Sequence, residues 1–227
     1  MELNSDFTRR VLVRAAENPW RPSPMAGVER RMLDRIGGEV ARATTIVRFA
    51  PGAEFHAHTH DGGEEFIVLD GVFVDEHGAF PAGSYIRNPP TSHHHPSAPE
   101  GTTILVKLHQ MQPGDRSHVR IDTGKTRPVA VEGRPGVRVL PLFSDGHEDV
   151  RIETWEAGAA VSLDAPAGLE IFVLSGALEA DGDAMAGWDW LRVPPGGRVE
   201  AVAGPEGARV WVKAEHLGPR LASAAAE

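Results

Sequence analysis

Gly52-Ala53-Glu54-Phe55-His56-Ala57-His58-Thr59-His60-Asp61-Gly62-Gly63-Glu64-Glu65-Phe66-Ile67-Val68-Leu69-Asp70-Gly71 spaces two histidines and a glutamate between glycines, and His94 follows after a further turn. Side chains alternate between the faces of an extended strand, so His58 and His60 point the same way. Gly62 and Gly63 turn the chain, and Glu64 opens the apolar run Phe66-Ile67-Val68-Leu69. A hairpin of this kind returns Glu64 beside the two histidines. Asn88-Pro89-Pro90 is a second turn signal, able to bring His94 to the same place. A lone His-x-His pair would read as a polar surface hairpin. Three imidazoles and one carboxylate between ordered glycines read instead as a mononuclear site for a divalent metal.

The rest of the chain fits a β protein around that site. Among 227 residues there are 25 glycines and 18 prolines, and apolar runs between turns are short: Thr45–Phe49, Phe66–Leu69, Ile104–Leu108, Ile171–Leu174 and Val210–Val212. Such spacing predicts an all-β barrel or sandwich. Helical periodicity is weak and confined to Val28–Ile36 and the tail at Leu221–Ala225. The formal charge is −9, with 23 basic and 32 acidic residues, which argues against nucleic-acid binding and offers no polybasic membrane anchor. Cysteine is absent, so thiolate ligands and disulfides are excluded. The first ten residues lack the apolar core of a signal peptide, and a cytoplasmic location is expected.

The chain also repeats itself. Glu65-Phe66-Ile67-Val68-Leu69-Asp70-Gly71 matches Glu170-Ile171-Phe172-Val173-Leu174-Ser175-Gly176 at an offset of 105 residues. Tyr85-Ile86-Arg87-Asn88-Pro89-Pro90 matches Trp190-Leu191-Arg192-Val193-Pro194-Pro195 at the same offset. Two further matches in the same order complete an internal duplication. The second copy lacks the ligands: His58 and His60 align with Asp164 and Pro166, Glu64 with Gly168, Leu169 or Glu170, and His94 with Val199. It reads as structural, with Trp155, Trp188, Trp190 and Trp211 expected to fill a barrel free of metal.

The glycine, histidine and glutamate spacing, with Pro81-Ala82-Gly83 and His94, resembles the cupin superfamily. More narrowly, HTHDGGEEFIVLDGVFVDEHG, FPAGSYIRNPP and ILVKL resemble the cupin domain of ChrR-type proteins, commonly bicupins. The resemblance implies two tandem antiparallel jelly-roll (double-stranded β-helix) barrels, with His58, His60, Glu64 and His94 holding one divalent ion inside the first. Family spacing selects His94 from the triplet His93-His94-His95. Iron(II) or zinc is expected, with manganese and nickel also compatible with this donor set. Full-length ChrR proteins are anti-sigma factors with a separate helical, zinc-binding N-terminal module. The forty or so residues ahead of the expected first strand contain no cysteine and are not expected to form it.

The expected organisation is a lead-in segment over 1–40 packing on the barrels, a metal-binding barrel over 41–125, a degenerate barrel over 126–218 and a flexible tail over 219–227. No catalytic residue is assigned. His56 shares the parity of His58 and His60, leaving it either to support the ligands and bound substrate or to stand at the rim. Tyr85, His56 and Arg87 are candidate pocket residues. Cupins near this group include dioxygenases acting on β-diketones or hydroxyacetophenones, which implies a non-haem iron dioxygenase for a small ketone or diketone-like substrate. The competing expectation is a metal-bearing sensor, zinc being its natural ion. Both anticipate a small-molecule ligand and a homodimer.

Overall fold

The computed structural model describes residues 1–38 and 40–218. Apart from a 3-10 turn at Ala15–Glu17, every regular element among them is a strand. The strands form two units, Met1–Ser5 with Asn18–Thr126, and Asp6–Glu17 with the chain from Arg127 on. The expected tail at 219–227, with its helical candidate Leu221–Ala225, lies outside the described residues.

In the first unit the main sheet runs Glu2–Leu3, Val28–Gly37, Ala41–Phe49, Thr102–Leu108, Glu64–Asp75, Ser84–Asn88 and Val119–Asp122, antiparallel throughout. His58–Thr59 pairs with His93–His94 in a separate ribbon, and Ala53–Glu54 pairs with Ser97–Ala98. Alternation sends Phe66, Val68, Ile104 and Val106 into a core with Val28, Val47, Phe49, Phe73 and Ile86. Glu65, Tyr85, Arg87 and Lys107 take the opposite parity, and all four are buried. Both faces of this sheet are therefore dry, and its strands read as nearly continuous apolar runs rather than clean alternation.

Val28–Ile36, a helical candidate by sequence, is a strand. Its register against Ala41–Phe49 shifts between Met32 and Asp34, a β-bulge that inserts one residue and flips side-chain parity. Apolar Val28, Met32, Leu33 and Ile36 thus mimic a helical period.

The second unit repeats the first. Its sheet runs Val129–Ala130, Val137–Ser144, Asp149–Trp155, Gly197–Ala214, Leu169–Ala180, Trp190–Val193 and Val11–Val13. The last pairing places Asp6–Glu17 in this barrel: Val11–Val13 adds an edge strand along Trp190–Arg192. Of the four tryptophans expected to fill the barrel, only Trp155 belongs to its interior cluster. Trp190 and Trp211 are buried but flanked in sequence by interior Leu191, Val210 and Val212, so alternation turns them to the other face. Trp188 sits in a turn at φ 71°.

Pairing registers correct the alignment of the two copies. His58 faces His94 in the first unit, and Leu163 faces Val199 in the second. Glu64 faces Asn88 and Leu108, whereas Leu169 faces Val193 and Ala214. The counterparts of His58, His60, Glu64 and His94 are therefore Leu163, Ala165, Leu169 and Val199, one residue before Asp164 and Pro166 at the first two positions. All four belong to the interior cluster, while Asp164 is exposed. A buried Leu or Val contributes about 1.5–3 kcal/mol by leaving water, so the second barrel is closed by apolar packing where the first keeps polar groups.

Candidate metal centre

The turn at Gly62-Gly63 sets the site. Residues 109–111 press against it, with His109 N–H donating to the Gly63 carbonyl at 3.1 Å and Met111 N–H to Gly62 at 3.3 Å. A Cβ on Gly62 would stand 2.3 Å from His109 Nδ1, and one on Gly63 would stand 2.4 Å from Met111 Sδ. Gly63 also has φ +76°, so no side chain is accommodated at either position. This tight return delivers Glu64 to the start of its strand, facing the histidine ribbon.

His58, His60, Glu64 and His94 each present a donor atom, all within 4.8 Å of one another. Glu64 Oε2 lies 3.5 Å from Nε2 of His60 and 3.5 Å from Nε2 of His94. Metal–ligand bonds of about 2.1 Å place neighbouring donors about 3.0–3.4 Å apart, close to this spacing. His60 and His94 are buried with no hydrogen-bond partner on Nε2, and His58 is exposed. A buried polar atom left unpaired costs about 1–3 kcal/mol, a cost that a bound cation removes. The residues fit a divalent metal.

Ring orientation is set from behind. His94 Nδ1 lies 3.3 Å from Asp75 Oδ2, and His58 Nδ1 lies 3.0 Å from the His56 carbonyl oxygen. A carboxylate and a carbonyl only accept, so both Nδ1 atoms carry the proton and leave Nε2 free to ligate. Asn88 Nδ2 donates to Glu64 Oε2 at 3.1 Å. Burial pulls the His94 imidazole down, but the Asp75 hydrogen bond and the Glu64 and Asp75 charges outweigh it and hold the group above its ordinary value. At His60 burial prevails instead and holds the group below its ordinary value; Glu64 opposes the shift and the neighbouring imidazoles reinforce it.

Three of the four donors, His58, His60 and Glu64, line a cavity of about 290 Å3 that opens the site to a small molecule. Val47, Phe49, Phe55, Phe73, Ile104 and Val106 supply apolar wall, and Arg30, Arg35, Ser23, Thr45 and His109 supply polar wall. His93 and His95 are exposed where His94 is buried, so only His94 of the triplet joins the cluster. The His56 side chain is exposed and absent from the cavity lining; its backbone, not its imidazole, supports the ligands. Tyr85 and Arg87 do not line the cavity: Tyr85 Oη donates to Glu65 Oε1, and Arg87 pairs with Asp115 at 2.6 Å.

Sequence reasoning missed Asp75, Asn88, Arg30, Arg35 and His109. His109 carried no signal in the sequence: its left-handed backbone, φ 55°, recurs at Glu215, φ 69°, in the barrel without ligands, and so belongs to the shared turn.

Comparison with known proteins bears on the family and the fold. Residues 8–112 match the ChrR cupin-like domain family. No curated protein sequence matches the chain significantly. Among solved structures, a proposed dioxygenase from Nostoc punctiforme PCC 73102 superposes with a TM-score of 0.76 at 12% identity, over 92% of this chain and 84% of that one. The nickel(II) complex of the bacterial pirin YhhW from Escherichia coli gives 0.67 at 15% identity, covering 91% and 98%. A deletion mutant of Bacillus subtilis oxalate decarboxylase gives 0.62 at 15% identity, covering 91% and 77%. At these identities the likeness is one of fold. The chain therefore carries a ChrR cupin-like domain over residues 8–112 and folds as tandem jelly-roll barrels of the cupin type.

Proposed function

We propose that the first barrel is a mononuclear non-haem iron(II) dioxygenase acting on a small ketone or diketone-like substrate. The observation carrying this reading is the one-sided opening of the donor cluster: His94 is buried away from the cavity, while exposed His58 and buried His60 and Glu64 line it. A bound iron would supply exchangeable positions for a chelating oxygen ligand and for dioxygen. The chain's own residues do the rest. Phe49, Phe55, Phe73 and Val106 give the cavity its apolar wall, and Asp75 and the His56 carbonyl fix the two rings they touch. Likeness of fold to a proposed dioxygenase supports the reading. Its test is metal analysis of anaerobically purified protein followed by oxygen uptake with β-diketones and aryl ketones. Near-stoichiometric iron and substrate-dependent uptake are expected; stoichiometric zinc that iron fails to replace during expression, with no uptake, refutes it.

The match to a ChrR cupin-like domain favours a second reading, a zinc-bearing sensor that binds a small ligand without turnover. In either case the partner is a small molecule rather than nucleic acid or membrane, the chain acts in the cytoplasm, and it pairs as a homodimer. Among the described residues no helix is long and apolar enough to cross a membrane. A monomer at every concentration in light scattering would remove the dimer from this reading.

A further inference from the structure

Two arginines line the cavity that adjoins the donor cluster. Arg30 and Arg35 lie on the Val28–Gly37 strand, five residues apart, an interval that ordinarily puts side chains on opposite faces. The bulge between Met32 and Asp34 cancels that alternation: Arg30 pairs with Val47 and Arg35 with Ala43, both members of the inward-facing set of their strand. Both arginines are half-buried. Arg30 Nη2 donates to Ser23 Oγ at 2.5 Å, and Arg35 donates to the Gly38 carbonyl. Among the described residues neither has a carboxylate partner. Glu64 is the one carboxylate in the lining, and it faces the histidines. Burial and the neighbouring Arg35 charge both hold Arg30 below its ordinary value, so the two cations repel across shared space. Two such forks lining one cavity, each with a single side-chain hydrogen bond, form a receptor for a planar anion.

We infer that the cavity takes a carboxylate-bearing small molecule, a keto acid whose carboxylate is held by Arg30 and Arg35 and whose carbonyl end lies toward His58, His60, Glu64 and His94. This deepens the dioxygenase reading, on which its account of the carbonyl end rests, by assigning the substrate a negative charge. The volume, about 290 Å3, is at the small end of ligand pockets, which suits a compact acid.

Acetoacetate and acetylacetone test the charge directly. They share a heavy-atom count and a 1,3-dioxygen arrangement, and differ in exchanging a carboxylate oxygen for a methyl group. Anaerobic calorimetry on zinc-loaded protein is expected to give acetoacetate an affinity at least about tenfold above acetylacetone, the increment of one charge-assisted hydrogen bond. Arg30→Gln and Arg35→Gln should each weaken acetoacetate about tenfold or more and acetylacetone by much less, with zinc content retained. Equal affinity of wild-type protein for the two probes overturns the inference without recourse to any variant. So does tighter binding of inorganic phosphate than of acetoacetate, or a loss in both arginine variants that falls equally on the two probes. Repeating the titration on chelator-treated protein separates the two proposals. An arginine-dependent preference for acetoacetate that persists there, with no oxygen uptake by the iron-loaded protein, leaves the anion site standing and removes the dioxygenase. Oxygen uptake on acetylacetone without any acetoacetate preference does the reverse.

Discussion

Replacing Asp75 by alanine isolates the support behind a single ligand. The Asp75 side chain is 1% exposed and His94 2%, so water cannot take the carboxylate's place without opening the barrel. At 3.3 Å the contact is a charge-assisted hydrogen bond in a dry setting, a class worth about 1.5–3 kcal/mol. Removing the outer partner of a ligating histidine typically lowers metal affinity about 10–100-fold, or about 1.4–2.7 kcal/mol, and the two ranges agree. Part of any change at neutral pH comes from protons. Asp75 holds His94 above its ordinary value, so its loss also relieves proton competition and offsets some of the damage. The assay is therefore competition against a chromophoric chelator at pH 7 and at pH 8, since proton competition at a raised imidazole weakens as pH rises and the orientational loss does not. An Asp75→Ala protein with wild-type metal affinity at pH 8 and an unchanged melting temperature would refute the claim that this carboxylate positions His94.

Four other outcomes follow, three from the metal centre and one from the second barrel. His58→Ala and Glu64→Ala should abolish stoichiometric metal while Asp164→Ala keeps it, and His94→Ala should lose far more than His93→Ala or His95→Ala; mass-spectrometric metal content decides both comparisons. Imidazoles must be neutral to ligate, so metal affinity should fall steadily from pH 7 to pH 5, and a flat profile in a chelator titration would argue against a histidine-rich site. In the second barrel, buried Glu153 accepts from Arg134 at 3.0 Å, Arg151 at 2.7 Å and Trp155 Nε1 at 2.8 Å. Burial pushes this carboxyl up, but those partners outweigh it and hold it below the usual carboxylate range. Its contribution is thus complete above the unfolded value of about 4.3 and lost as pH falls through the lower folded value. Glu153→Ala should cost about 3 kcal/mol in urea unfolding at pH 7, the low end for a broken buried pair because both arginines can turn to solvent, and the gap from wild type should narrow below pH 4.

The donors of the centre were legible because each is a distinctive residue at a strand position whose parity can be counted. The duplication was legible for a similar reason, since identical turns impose identical glycines and prolines. What escaped was whatever depended on pairing across strands. Asp75 reaches His94 from the adjoining segment of chain, and its own neighbourhood, Phe73-Val74-Asp75-Glu76, reads as the end of a strand entering a turn. The counterparts of His58 and His60 were misplaced by one residue because Asp164 is the nearest polar match, whereas register requires aliphatic Leu163. Tyr85 and Arg87 looked like pocket residues because a sheet buried on both faces gives no sign in sequence of which side is the interior. A single bulge hid the strand at Val28–Gly37 and with it both cavity arginines.

The route of Asp6–Glu17 into the second barrel has a consequence for synthesis. Val11–Val13 leaves the ribosome about 180 residues before Trp190–Val193, the strand it must pair with, a wait on the order of 10 to 40 s at ordinary elongation rates. During that interval Glu2–Leu3 and the strands from Val28 onward can close the first barrel, with the intervening segment held out as a loop tethered at both ends. Completion of the second barrel is then a capture event, in which a short strand already present docks on the last edge to appear. A fragment beginning at Arg127 would reach the same stage with that edge bare, and would seek another chain to cover it.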